Sequence, residues 1–406
     1  MASSVIQIPA GYKQTDAGVI PEDWEVKELR DITTMVTNGF VGKAKDHYTD
    51  ATDGITYIQG YNVKENSFNF HGIKKVTQDF HRKHQKSCLK EGDLLTVQTG
   101  DVGLTTIVTK KLQNSNCHAL IISRFKKQIS APLYFSYYFN SWIGRYRLKD
   151  LETGTTMKHL NIGDMLFWKV PFPNDKNEQA VIAEVLSDID SLISKLDQLI
   201  QKKKNIKQGA MQELLTGKRR LPGFSGEWKG IKIKDLFRVT RGLVLSMKKT
   251  TSLPTEKNRY PVYSSQTLND GLAGYYSEYL FENCITWTTD GANAGDVKYR
   301  PGKFYCTNVC GVLESQDDQA NSCIAAIFNS VSKKYVSYVG NPKLMNNVVA
   351  QIDLMIPGDI EEQKSISKVI DDLENELHVL QNQKRKYQNL KQGMMQQLLT
   401  GKIRLI

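Results

Sequence analysis

The 406-residue sequence contains no run of apolar residues approaching the roughly 18 that a membrane-spanning helix needs. Its opening, MASSVIQIPAGYKQ, lacks the basic-then-apolar pattern of an export signal, so the expected location is the cytoplasm. Cysteine is scarce. Cys88, Cys117, Cys284, Cys306, Cys310 and Cys323 form no CxxC pair, which excludes a disulfide framework and fits reduced thiols. Cys306 and Cys310 are closely spaced but have no histidines nearby to complete a tetrahedral zinc site.

Catalytic signatures are missing as well. No GxxxxGK[ST] loop is present; Gly217-Lys218 and Gly401-Lys402 fall at helix ends, where glycine is the expected cap. No GxGxxG follows a strand pattern. There is no Pro-Pro, hence no Asn/Asp-Pro-Pro-aromatic tetrapeptide for holding a flipped base. His81 and His84 lack an HExxH context and read as a solvated turn. Glu25-x-Lys27 and Glu227-x-Lys229 lack the upstream aspartate of a nuclease signature. No catalytic, metal or cofactor site is expected on this chain.

What is present is ordinary globular material with a surplus of positive charge. Apolar residues make up 40% and charged residues 24%, enough for two or three domains with their own cores. Lys and Arg number 54 against 43 Asp and Glu, a net charge of +11, which suits a polyanionic partner.

The strongest feature is an internal repeat. Residues 178–221 and 362–405 align without a gap at a constant offset of 184, and nearly half of the aligned positions are identical, ending in QELLTGKRRL and QQLLTGKIRL. Each copy reads as a helix of roughly 37 residues, about 55 Å long. Steps of three and four give a coiled-coil seam at Ile182, Val185, Ile189, Leu192, Leu196 and Leu199. In the second copy the seam is Ile366, Val369, Leu373, Leu380 and Leu390, with Glu376 and Gln383 at two of its positions. In both copies acids crowd the start and bases the end, which complements the helix dipole and favours an antiparallel pair.

Two globular segments, 1–172 and 219–356, precede helical segments at 173–218 and 357–406. They share landmarks: Trp24 and VTNGF (36–40) answer Trp228 and VTRGL (239–243), GDLLTVQTGDVG (92–103) answers NCITWTTDGANAG (283–295), and GTTMKHLN (154–161) answers GNPKLMNN (340–347). The expected fold class is therefore α+β: two β-rich globules separated by a long antiparallel two-helix coiled coil, with pseudo-twofold internal symmetry. Helices of this length would hold the globules at opposite ends of a rod. The aromatic run YFSYYFNSWIGRY (134–146) reads as core.

Loops that follow the apolar strands carry amides, bases and hydroxyls. The candidate DNA-contacting residues are Asn38, Lys43, Gln98, Thr99 and Asp101 in the first globule, and Arg241, Lys248, Lys249, Ser265, Gln266, Thr289, Asp290, Asn293 and Lys343 in the second. Amide and guanidinium groups can form paired bonds to purine edges, and lysines can neutralise phosphates.

On GVIPEDWEVKEL (18–29), YPVYSSQTLNDG (260–271), ITWTTDGANAG (285–295) and both QxLLTGK helix ends, the sequence resembles specificity subunits of Type I restriction-modification enzymes, over essentially its whole length. The resemblance implies two target recognition domains that each read half of a split double-stranded DNA site, with the helices setting the gap. It further implies docking of two modification subunits that carry S-adenosylmethionine, and of restriction subunits that use ATP and Mg. Two readings stand beside it: a cryptic DNA-modifying enzyme, and a coiled-coil adaptor that does not bind DNA.

Overall fold

A computed structural model describes residues 8–154, 158–265, 268–315 and 319–405. Its contacts divide the chain into two compact units, one running to Leu196 and resuming at Gln383, the other spanning Asp197–Asn382.

The first unit is built on a four-stranded antiparallel sheet of β1 (Thr33–Asn38), β2 (Leu94–Val97), β3 (Thr105–Ile107) and β4 (Leu120–Phe125), in the order β3-β2-β4-β1. Every residue of β2, LLTV, is buried, as a central strand with two covered faces requires. A helix α1 (Pro132–Asn140) opens on a proline, which suits the first turn, and α2 (Trp142–Lys149) is capped by the Ser141 hydroxyl accepting from Gly144 N at 3.0 Å. Tyr134, Phe135, Tyr137, Tyr138 and Phe139 are buried with Trp24, Phe125 and Trp168, so the aromatic run is core up to Phe139. Beyond it the expectation fails: Trp142 is 70% exposed and stacks on the exposed Tyr146, ring centroids 6.0 Å apart. Lys169–Phe172 pairs with Glu25–Glu28 and leads into the long helix α3 (Lys176–Leu214).

The second unit repeats this frame. Its sheet comprises β5 (Phe237–Arg241), β6 (Tyr260–Tyr263), β7 (Leu272–Tyr276), β8 (Phe281–Thr288), β9 (Val297–Cys306) and β10 (Cys310–Ser315), in the order β5-β10-β8-β9-β6-β7. Its first four members follow the order of β1, β4, β2 and β3. The end of β9 runs parallel to β6 with Cys306 opposite Tyr263, as Cys117 lies opposite Ile58 in the first unit. Helix α4 (Ser322–Ser332) matches α1: Asn329 Oδ1 accepts from Val297 N at 2.9 Å and Asn140 Oδ1 from Thr105 N at 3.0 Å, each the first residue of its strand. Trp228–Lys232 pairs with Asp353–Pro357, which leads into α5 (Ile360–Leu398).

Each long helix is shared between the units, and within each unit the two run antiparallel. In the second, Lys203 pairs with Glu376 and Lys207 with Glu374, both at 2.6 Å; in the first, Lys391 pairs with Asp190 at 2.8 Å. The Lys207 and Lys391 pairs are the same pair at the 184 offset. Both helices end on a left-handed glycine, Gly217 (φ 67°) and Gly401 (φ 68°), seated against Trp228 and Trp24, so the two Gly-Lys pairs are helix caps.

The seam needs correcting. Ile182, Leu196 and Ile366 are buried, and Val185, Ile189, Val369, Leu373 and Leu380 are half-buried. Leu192, Leu199 and Leu390 are 36%, 39% and 50% exposed. The inward stripe runs instead through Leu186, Ile193 and Ile200, and through Ile370 and Leu377. Apolar residues occupy adjacent positions at 185/186, 192/193 and 199/200, so periodicity admits two stripes, three-then-four or four-then-three; packing selects the second. Glu376 flanks that stripe, exposed but paired with Lys203 of the facing helix.

Candidate nucleic-acid interface

The loops at one end of each sheet are fixed by the same main-chain bonds. After β1, Gly39 N donates to Leu120 O and Phe40 N to Cys117 O, both at 2.8 Å; after β5, Gly242 N donates to Cys310 O at 3.0 Å and Leu243 N to Cys306 O at 3.1 Å. The glycines allow this approach. A Cβ on Gly242 would lie 2.1 Å from Cys306 O, and one on Gly39 would lie 2.6 Å from Cys117 Sγ. The V-T-x-G motif thus sets Asn38 and Arg241 at the same place on one frame.

The loops after the central strands match too. Leu160 N donates to Gln98 O at 3.1 Å and Leu344 N to Thr289 O at 2.9 Å; Thr99 bridges His159, and Asp290 bridges Lys343. The structure therefore gathers Asn38, Gln98 and Thr99 in the first unit, and Arg241, Thr289, Asp290 and Lys343 in the second. Ser265 follows Ser264, whose hydroxyl accepts from Thr307 Oγ1 at 3.1 Å on the β9–β10 turn. Asn293 closes the β8–β9 loop, its carbonyl accepting from Asp296 N at 3.0 Å.

Side-chain exposure separates these candidates. Thr99, Asp101, Arg241, Lys248, Lys249 and Lys343 are exposed, whereas Gln98, Ser265, Asp290 and Asn293 are half-buried. Among the described residues Arg241 has no acidic partner within ion-pair distance, while Arg238, on the same strand, pairs with Glu314. Lys43 is held by Asp46 at 3.0 Å, and Lys248 and Lys249 lie on a separate turn, Met247–Lys249. Asn38 is half-buried, and among the described residues no donor reaches its Oδ1. Thr289 is not a reader: it is fully buried, and its hydroxyl lies 2.7 Å from Asp290 Oδ2 and 3.0 Å from Val309 O, bonds that hold the turn. Gln266 lies outside the described residues.

Sequence reasoning passed over His118. It follows Cys117 as Thr307 follows Cys306, donates its main-chain N–H to Ile58 O at 2.8 Å, and has Nδ1 3.0 Å from the Tyr57 hydroxyl. Burial lowers its pKa, which favours the neutral ring. A lone histidine carries no spacing signal; only the strand pairing of Cys117 reveals its position. Among the described residues, no group of three or more His, Cys, Asp or Glu side chains could hold a metal ion, and no helix is long and apolar enough to cross a membrane.

A rigid backbone with different side chains at matched positions is the arrangement direct readout of base edges requires. The molecule is thus an internally duplicated α+β protein that presents two versions of one loop set. The chain belongs to the Type I restriction modification DNA specificity domain family, whose pattern matches residues 21–208 and again 225–388. DNA sequence recognition in a restriction-modification system is its function.

A putative Type I specificity subunit of Mycoplasma pneumoniae, S.MpnORF289P N-terminus, is 38% identical over 146 residues, 35% of this chain and 76% of that protein. The putative Type I restriction enzyme MjaX specificity subunit of Methanocaldococcus jannaschii is 23% identical over 97% of both chains. The crystal structure of a Type I restriction-modification S subunit from M. genitalium shares the fold, with a TM-score of 0.68 and 16% identity over 92% of this chain and 96% of that one.

Proposed function

We propose that each unit reads one half of a bipartite double-stranded DNA target, and that the chain is a recognition and scaffold subunit that catalyses nothing itself. The observation that carries this reading is the pairing of unlike side chains on one frame: Asn38 with Arg241, Thr99 with Asp290, and His159 with Lys343. Arginine suits guanine O6 and N7, and asparagine suits adenine N6 and N7. The exposed lysines supply phosphate contacts.

In the same proposal the two long helices form an antiparallel coiled coil that sets the gap between half-sites and docks two modification subunits. A face kept in both copies supports the docking. Lys202, Asn205, Gly209 and Gln212 form an exposed stripe on α3, and each is identical and exposed 184 residues later on α5. Gly209 and Gly393 face open space inside helices, where glycine costs up to about 1 kcal/mol relative to alanine. Keeping that cost twice on a solvent face makes sense if a partner's backbone comes close there. S-adenosylmethionine would belong to the modification subunits, and ATP and Mg to the restriction subunits, in a cytoplasmic complex.

The test is methylation mapping with the assembled enzyme. Replacing Arg241 and Asn293 by alanine should relax the consensus in one half-site and leave the other intact. Equal loss in both halves would count against two separate readers.

A further inference from the structure

The matched helices α1 and α4 differ one turn before their anchoring asparagines, where the first unit has Tyr137 and the second has Ala326. In the first unit the Tyr137 phenol packs against the long helices. Its hydroxyl donates to Asp190 Oδ2 at 2.8 Å, and Lys391 Nζ lies 5.7 Å from its ring centroid and 2.8 Å from Asp190. The second unit retains the ion pair that receives this phenol, as Lys207 and Glu374 at 2.6 Å, but not the phenol.

With only a methyl group at Ala326, a cavity of about 590 Å3 opens, lined by Lys207, Met211, Tyr299, Ala326, Asn329 and Glu374 among others. An adjoining cavity of about 770 Å3 shares Lys207, Met211, Ala326 and Asn329. Its counterpart in the first unit, lined by Asn140 and Met395, measures only about 250 Å3. Cavities of about 300–1,000 Å3 with a few fixed polar groups are typical of small-molecule sites.

We propose that the cavity at Ala326 binds a para-substituted phenol in the pose Tyr137 takes in the first unit. The hydroxyl donates to the Glu374 carboxylate and the ring lies beside the Lys207 ammonium, which gains from the negative face of the ring. The para position points away from the carboxylate and can carry a substituent, as the Tyr137 ring carries its own backbone. The phenol is either a free small molecule or the tyrosine of a docking polypeptide. This inference is independent of DNA reading.

Calorimetric titration of the full chain with p-cresol tests it, with toluene as the comparator lacking a hydroxyl. The expected result is saturable binding at one site, at least tenfold tighter for p-cresol. Ala326→Tyr should abolish it, with Ala326→Leu as the alternative filling should the first variant not fold, and Tyr137→Ala should create a second site. An end-blocked Gly-Tyr-Gly peptide that competes with p-cresol would identify a polypeptide tyrosine as the ligand; binding of p-cresol alone would identify a free phenol. No saturable p-cresol binding, equal binding of toluene, or unchanged binding in a folded Ala326 variant would overturn the proposal.

Discussion

Arg404 grips Glu178, a residue 226 positions earlier in the chain, with Nη2 2.9 Å from Oε2. Its Nη1 also lies 2.9 Å from Asp23 Oδ1, and Glu178 accepts from Trp24 Nε1 at 3.0 Å. Arg404 thereby fastens the end of the second helical copy to Asp23 and to the start of α3 within the first unit. At the 184 offset, Arg220 grips Glu362 in the second unit with bonds of 2.5 and 2.6 Å. Both carboxylates are 1% exposed, so each is a buried charge that depends on its arginine.

Arg404→Ala should cost about 2 kcal/mol by leaving Glu178 buried, among the described residues, with only the indole N–H of Trp24. Urea unfolding at neutral pH measures it. Bonding to Arg404 also lowers the pKa of Asp23. A carboxyl held low contributes stability that is present above its unfolded value of about 3.9 and is lost as pH falls through the folded value. The destabilisation caused by Arg404→Ala should therefore shrink as pH drops below about 4, whereas a constant difference would assign Asp23 no part in it.

Gly242→Ala should destabilise the second unit by about 1–3 kcal/mol, because the new methyl has backbone in its way and the turn must shift. Gly39→Ala should do the same to the first unit, where part of the obstruction is the Cys117 side chain. Circular dichroism melts of the two variants measure the costs, and the larger one should fall on Gly242→Ala.

Native alkylation with iodoacetamide at pH 8 should label Cys88 first, since it alone among the six cysteines reaches solvent appreciably. Burial pushes the Cys284 thiol up to about 11 and the Cys323 thiol up to about 12, and raises Cys117 further. Thiolate, the reactive form, is therefore suppressed at these three sites. Peptide mass spectrometry after brief labelling reads the order directly.

Much of this architecture could be read from the residues. The 184 offset announced the twin helices, and their charge polarity anticipated the antiparallel pairs at Lys207 and Lys391. V-T-x-G marked matching loops because Gly39 and Gly242 sit where backbone closely approaches, and Gly100 and Gly291 marked matching turns because each has a positive φ, 90° and 89°. The choice between Leu192 and Ile193 as the inward residue was not legible, since both are apolar and the partner surface decides. Thr289 was named as a reader because it follows an apolar strand; its N–H and hydroxyl are tied to Val309 O, 20 residues away. His118 and the contrast between Tyr137 and Ala326 became visible only when strand pairing and helix anchoring aligned two globules of unequal length.

Single-molecule methylation sequencing of a host with and without the gene tests the central claim most directly, provided the partner subunits are present. Two heads on one chain predict a gene-dependent consensus made of two short specified blocks with an unspecified gap between them. A gene-dependent consensus that is one uninterrupted block, or methylation identical in both hosts, would contradict it.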